Sequence, residues 1–499
     1  MSVETDVAAA LAAWTAGRRD ECLARLRAMG AAATDHPLAL QLWALALPRG
    51  ADALALLERA VRIAPGDAQA QFNLGVSIQA AGDLTRAIAC YEQALRIDPG
   101  NLGALNNLSD LYRRRGRAAE GWALMQRYSD RGGAIAGLEI RLAKLAMDLR
   151  RFDDAAHWFE RAEAHAPGDA SVGWEHAMLS LVREDYARGW PQYERRLDSH
   201  GLDALGIYPY AAERWTGGPA AGRALLLHRE QGMGDMIMFA SALPALIAEG
   251  AAVHLALHPP LVRLMAASFP EARIWSSLTR VGGGAQPEQR WLAAAGPIDI
   301  QAPMCSLGAL RLTDGPPTPA AYLSADPDDV AVWKARLDAL APPKRGERRA
   351  GLVLGTRQVR WSDDGAANAQ RKSIPPHRAA GLAEAKRVRW IGLHDRETAP
   401  MLADLPRVDV VDPSPWITDL ADTAAIIENL DVVVTIDTAV AHLAGALGKP
   451  VFLMLWWNPD WRWGVDRTTS AWYPNVRLFR QPEPGDWESV VAAVVKALG

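Results

Sequence analysis

Cysteine is nearly absent: the 499 residues hold three, Cys22, Cys90 and Cys305. They stand too far apart for a zinc site or a small disulfide framework, and such scarcity points to a reducing compartment. An excess of positive charge is missing too. The 54 basic residues face 58 acidic ones, a net charge of −4, so binding nucleic acid by neutralising its phosphates is not expected. No uninterrupted apolar run approaches the ~20 residues that cross a bilayer, so no membrane span is expected. The opening MSVETDVAAALAAW has acids and no basic stretch before its apolar residues, and does not read as a secretory signal. The expected location is therefore the cytoplasm. With 49% hydrophobic and 22% charged residues, the chain is of ordinary globular composition, and its length predicts roughly two to four domains.

What is present first is a repeat. Pro65, Pro99 and Pro167 share one register of 34 residues, together with Ala53, Ala87 and Ala155, with Leu57, Tyr91 and Phe159, and with Ala60, Ala94 and Ala162. Small residues at Gly75 and Ala87 let paired helices approach. Tyr91 fills the gap between neighbours, and Pro99 stops the second helix because it has no amide to donate. The pattern resembles the tetratricopeptide repeat and predicts about six helix pairs stacked as a superhelix. Such an array implies a peptide or protein partner. Asn73 and Asn107 take the same place in successive repeats. Similarly placed asparagines in the eukaryotic O-linked N-acetylglucosamine transferases hold an acceptor backbone, so these two are acceptor-binding candidates. The other reading is that Asn merely suits this consensus position.

Beyond residue 223 short apolar runs alternate with helical patterns: 224–228, 253–258, 273–276 and 299–300, then 351–355, 388–393, 408–411, 431–436 and 451–455. This grammar predicts parallel sheets covered by helices. The expected domains are an array over 1–203, a linker over 204–222, and two Rossmann-like domains over 223–345 and 346–499. A cleft is expected where the carboxyl ends of the two sheets meet.

Two motifs sit where such a cleft would be. Gly232-Met233-Gly234-Asp235 follows a strand and opens a helix; Asp235 either caps that helix or offers a carboxylate to the cleft. It is half of a dinucleotide fingerprint, too little for a nicotinamide cofactor. Asp437-Thr438-Ala439-Val440-Ala441-His442 also runs from strand to helix, and free amides at that helix start suit a phosphate. Arg371-Lys372 offers cations on a loop, or a solvated basic pair. The late aromatics Trp456, Trp457, Trp461, Trp463, Trp472 and Tyr473 are expected mostly to pack the last helix, 487–498, on the first sheet.

The runs GDMIMFASALPAL and TIDTAVAHLAGALGKPVFLMLW resemble the two motifs of lipopolysaccharide heptosyltransferases. Residues 205–499 resemble bacterial proteins that fuse tetratricopeptide repeats to such a transferase, a group of which DWRWGVDRTTSAWYPNVRLFRQPEPGDW is characteristic. The resemblance implies an α superhelical array followed by an α/β GT-B fold, and an inverting glycosyltransferase that needs no metal or cofactor. It implies a nucleotide-sugar donor with a UDP, GDP or CMP carrier. It makes Asp235 the general base, and it makes Gly234, Gly355, Arg371, Lys372, Asp437, Thr438, Ala439 and His442 donor-site residues. Relatives of this architecture glycosylate flagellin, which becomes the candidate protein acceptor. Two departures are visible: the group carries Gly-Asn-Pro-x-His and Gln-Lys where this chain has Gly355-Thr356-Arg357 and His394-Asp395. The alternatives are a non-catalytic scaffold with a degenerate transferase module, and a transferase acting on a lipid or polysaccharide.

Overall fold

The computed structural model describes residues 2–48, 50–132, 137–199, 201, 205, 207–277, 290–317, 321–342, 344–356 and 363–499. The chain forms two compact units, Met1–Trp158 and Phe159–Gly499.

Helices follow one another two per repeat. Among the described residues the pairs are Val3–Thr15 and Arg19–Ala28, Pro37–Ala46 and Ala51–Ile63, Ala68–Ala80 and Leu84–Ile97, Leu102–Arg114 and Ala118–Asp130, Leu138–Asp148 and Phe152–His165, and Ala170–Val182 and Tyr186–Glu194. The punctuation is written in the sequence. Proline-glycine stops one helix, and the next residue caps another. Asp67 accepts from the amides of Gln69 and Ala70 at 2.9 and 3.1 Å, and Asn101 from Ala104 at 2.9 Å. Asp169 accepts from Ser171 and Val172 at 2.7 and 3.3 Å. Each cap is worth about 1 kcal/mol. In the first unit Leu57, Leu74, Ile78, Tyr91, Leu108 and Tyr112 form one apolar core. Gly75 permits it: a Cβ there would lie 2.7 Å from the Tyr91 ring.

The second unit holds two parallel sheets. The first is built from β1 (Glu213–Arg214), β2 (Ala224–His228), β3 (Ala252–Leu257), β4 (Arg273–Ser276) and β5 (Ile300–Pro303), in the order β1-β5-β2-β3-β4. The second is built from β6 (Arg348–Leu352), β7 (Val388–Gly392), β8 (Val410–Val411), β9 (Val432–Ile436), β10 (Val451–Leu455) and β11 (Val476–Arg480), in the order β11-β10-β9-β6-β7-β8. Its central strands Val432–Ile436 and Val451–Leu455 are buried at every position, as sheets covered on both faces require.

The structure differs from the sequence expectation in three places. The stretch 204–222 is not all linker, because Glu213–Arg214 adds an edge strand beside β5. The helix Trp487–Leu498 packs on β10, β11 and the turn Pro376–Glu384, and so covers the second sheet rather than the first. The helical array extends to Ser199, but the compact units divide at 158/159, so its last helices pack with the α/β part.

Buried side chains explain that last difference. Arg196 and Glu230 are both fully buried and meet bidentately, Nε to Oε1 at 2.5 Å and Nη2 to Oε2 at 2.7 Å. Arg196 also donates to Ser306 Oγ at 3.0 Å and to Glu194 Oε1 at 2.6 Å. The Trp190 indole donates to the Leu312 carbonyl at 2.8 Å, and its ring occupies the space that a Cβ on Gly308 would need. On the other side, Glu184 pairs with Arg467 at 3.0 Å. Removing one member of a buried ion pair strands the other charge. Arg196→Ala is therefore expected to cost about 3–5 kcal/mol of unfolding free energy, whereas Arg196→Met with Glu230→Met costs far less. Urea unfolding of the three proteins measures the difference.

Candidate active site

The site lies at the carboxyl ends of both sheets, where doubly wound folds bind ligands. From β2 the chain turns through Glu230 and Gln231 into the helix Met233–Phe239. Gln231 holds φ at +56°. It donates to the Tyr193 hydroxyl at 2.9 Å, and its carbonyl meets His258 Nε2 at 3.1 Å. Asp235 does cap its helix, accepting from the Gly232 amide at 3.0 Å through Oδ2. Its other oxygen contacts Arg462 Nη2.

From β9 the chain passes Asp437 and Thr438 into the helix Ala439–Ala446, whose cap residue Thr438 makes no side-chain bond to the helix amides. The two helix starts meet closely. A Cβ on Gly234 would stand 3.0 Å from the His442 ring and 3.5 Å from Ala439 Cα. Glycine there is a packing requirement. From beyond β6, Lys372 reaches Asp437 at 2.6 Å. From beyond β10 comes the turn Trp461–Trp463. There Asp460 accepts from the Arg462 amide at 3.1 Å and from its Nη1 at 2.6 Å.

These residues line one hollow of about 280 Å³: Gln231, Gly234, Asp235, Lys372, Asp437, Thr438, Ala439, His442, Asp460 and Arg462. Ligand sites for whole small molecules span roughly 300–1,000 Å³, so this hollow is at the small end of that range. A bigger hollow of about 660 Å³ lies beside β8, between Arg396, Leu402, Val410 and Pro415. Its lining comes from the second sheet's side alone and includes no residue of either motif.

The electrostatics are set by burial. Burial pushes the His442 imidazolium down to about 4, against the pull of Asp437, and Arg462 adds to the effect. The ring is neutral near pH 7, fixed by Tyr473 (Nδ1 to hydroxyl, 3.0 Å) and stacked on Trp463 at 5.1 Å. Burial pushes the Asp437 carboxyl up, but the Lys372 ammonium beside it, by its charge and its hydrogen bond, leads the effects that outweigh burial, and the net direction is down. For Lys372 burial acts downward, and Asp437 and Asp460 reverse it, so the ammonium is held above its ordinary value. The hollow thus carries three carboxylates and two cations.

Of the residues singled out from sequence, Gly234, Asp235, Lys372, Asp437, Thr438, Ala439 and His442 come together here. Arg371 stands over the Trp456 ring at 5.5 Å and is not among the residues lining the hollow. Gly355 also lies outside it; a Cβ there would collide with the Met401 sulfur. His394, one of the two departures, is buried, and its Nε2 accepts from the Leu354 amide at 3.0 Å, an anchoring role for the sheet end. Arg357 lies outside the described residues. In the first unit Asn73 donates to Gln41 at 3.0 Å and accepts from Gln69 at 3.0 Å, while Asn107 donates to the Tyr91 hydroxyl at 3.1 Å. Both amides hold repeat helices together. Sequence reasoning did not single out Arg462 or Asp460, and it read Tyr473 only as packing. The signal was the Asp-x-Arg at 460–462, obscured by the tryptophans around it.

The late aromatics do different work from the one expected. Trp461 packs edge-on against Trp190 at 5.5 Å, and contacts Tyr193 and Trp472 at 6.2 and 6.1 Å. They join the last helical pair to the turn that carries Arg462.

Residues 44–101 and 79–134 match models of the tetratricopeptide repeat. Residues 415–454, which include Asp437, Thr438, Ala439 and His442, match glycosyltransferase family 9 (heptosyltransferase). A tetratricopeptide array is thus followed by parallel α/β domains that fit the GT-B fold, and the segment matched by that family's model contributes to the hollow. Among individual proteins, the chain is similar to Protein FlbA of Caulobacter vibrioides, 28% identical over 362 residues. That match covers 68% of this chain and 57% of the relative, so the chain spans little more than half of that protein's length. Among solved structures, Pseudomonas aeruginosa PilF has a TM-score of 0.35 at 13% identity, covering 39% of this chain and 90% of that one. A tetratricopeptide repeat protein of Parabacteroides merdae has a TM-score of 0.35 at 16% identity, covering 42% and 81%.

The buried neutral histidines make a pH dependence predictable. His228, His394 and His442 are each pushed down to about 4 by burial, from an ordinary 6.5. Their folded values are depressed, so the unfolded chain takes up their protons first as pH falls. The stability they contribute is complete above 6.5 and is lost as pH drops from 6.5 towards 4. Urea midpoints should fall steadily over that window, and His442→Gln should reduce the slope by about one proton.

Proposed function

We propose that the chain is an inverting glycosyltransferase that takes a sugar from a nucleotide-activated donor and passes it to a protein recruited by the repeats. The observation that carries this reading is the meeting of two helix starts at one hollow. The amides at Thr438–Ala439, with Lys372 and Arg462, offer positive charge to a phosphate, and the Asp235 carboxylate stands beside them. The match to glycosyltransferase family 9 over the Thr438–His442 segment supports it.

In this reading Asp235 takes the proton of an acceptor hydroxyl while that oxygen bonds to the anomeric carbon of the sugar. The bond from that carbon to the phosphate oxygen breaks with inversion, and the nucleotide leaves with the electron pair. Two cations and a helix start stabilise the charge that develops on it, so the chemistry requires no metal. His442, neutral and held by Tyr473, is a hydrogen-bonding wall of the donor site. A serine or threonine of flagellin is the acceptor to try first, with CMP-, UDP- and GDP-linked sugars as donors.

The donor half of this proposal is tested by thermal unfolding with UDP, GDP, ADP, CMP and dTDP. A nucleotide at 100 times its dissociation constant adds about 2.7 kcal/mol to the native state, a shift that is plainly measurable. One nucleotide is expected to give that shift, and His442→Ala to abolish it. Failure of all five to shift the wild-type protein would refute the donor site and leave the scaffold reading in its place. Once a donor is in hand, Asp235→Ala is expected to reduce transfer by roughly 10²–10⁴, the usual worth of a general base.

A further inference from the structure

The turn Trp461–Gly464 belongs to neither transferase motif, yet it supplies the second cation of the hollow. Arg462 is 9% exposed. Its guanidinium lies over the Trp461 ring at 4.3 Å, which fixes its plane. One nitrogen is held by Asp460 at 2.6 Å, another contacts Asp235 from the opposite sheet, and Nε is buried without a hydrogen-bond partner among the described residues. Lys372 pairs with Asp437, whereas Arg462 is claimed by two carboxylates. A guanidinium fork fits phosphate oxygens bidentately, and a diphosphate brings more negative charge than a single carboxylate.

We propose that Arg462 is the cation that receives the donor's phosphates, and that before the donor binds Asp235 holds it, so that donor and Asp235 compete for one guanidinium. This rests on the reading of the cleft as a nucleotide-sugar site. Its consequence is an order of events. Asp235 is released towards an acceptor hydroxyl only after the donor has taken Arg462, so an acceptor arriving first meets a carboxylate already paired.

The competition has an unusual sign, which makes it testable. Removing the negative charge of Asp235 should strengthen nucleotide binding. The experiment is calorimetric titration of the full chain with UDP, GDP, ADP, CMP and dTDP, for the wild type, Asp235→Asn, Arg462→Gln and the double variant. The carboxamide of Asp235→Asn keeps an oxygen for the Gly232 amide, so the helix cap survives. For the nucleotide that binds, Asp235→Asn is expected to tighten binding roughly tenfold, and Arg462→Gln to weaken it roughly tenfold. In the double variant the tightening disappears. Unchanged or weaker binding by Asp235→Asn overturns the proposal. So does a tightening that persists without Arg462, which would be general charge repulsion. Binding lost in His442→Ala but indifferent to Arg462→Gln overturns this proposal and leaves the donor site standing. No binding of any nucleotide to the wild type overturns both.

Discussion

Two charges taken fully out of water are tolerable only when each satisfies the other, and the pair Arg196–Glu230 imposes that condition on the whole second unit. Glu230 follows β2 directly, so wherever it sits Gln231 and the start of the Asp235 helix must follow. Arg196 belongs to the short helix after the last repeat pair. The bidentate bond therefore fixes that pair against the first sheet, and Tyr193 then meets Gln231. The same pair and the turn between its two helices carry Trp190 and Glu184, which hold the segment from Trp461 to Arg467 on the second sheet's side. One helical pair thus supports both Asp235 and Arg462, the two residues that pair at the hollow.

The hollow itself is a balance of opposed tendencies. Burial disfavours every charge in it, and only mutual pairing keeps them: Lys372 with Asp437, Arg462 with Asp460 and Asp235. Counting His442 as neutral, three carboxylates exceed two cations by one. An anion entering this hollow would have to exchange partners with a carboxylate, because each cation is already engaged. The amides at Thr438–Ala439 would require no such exchange, because a helix start offers partial positive charge with no carboxylate to displace.

Much of this was legible in the sequence because its physics is local. Proline-glycine-aspartate punctuates helices wherever it stands, and uninterrupted apolar runs such as Val432–Ile436 suit buried strands. Glycine and aspartate after a strand pointed to Asp235, and the Asp437–His442 run to the second helix start. Other features were not legible because they depend on what lies across the fold. Gly355 and Arg371 follow the right strand, but each is taken up by another side chain, Met401 and Trp456 respectively. Arg462 is distant in sequence from Asp235 and sits among tryptophans that read as packing. Asn73 and Asn107 had the spacing of a binding ladder, yet an amide in a helical pair finds partners such as Gln41 or the Tyr91 hydroxyl first. The edge strand β1 is too short for any periodicity to reveal.

The position of the unit boundary has its own consequence for how the repeats work. A composition shift near residue 204 marks where the repeat texture ends, but the cohesive boundary falls inside the helix Phe152–His165. A cut at 200 would remove Arg196 and strand Glu230 as an unpaired buried carboxylate beside Gln231. It would also take Trp190 from Gly308 and Leu312. Loss of activity after such a cut would therefore speak of a broken site, not of acceptor recruitment. If the repeats select an acceptor, that selection belongs to the first unit, whose caps and core are its own. The last helical pair follows the repeat texture only loosely in sequence, and its contacts belong to the second unit.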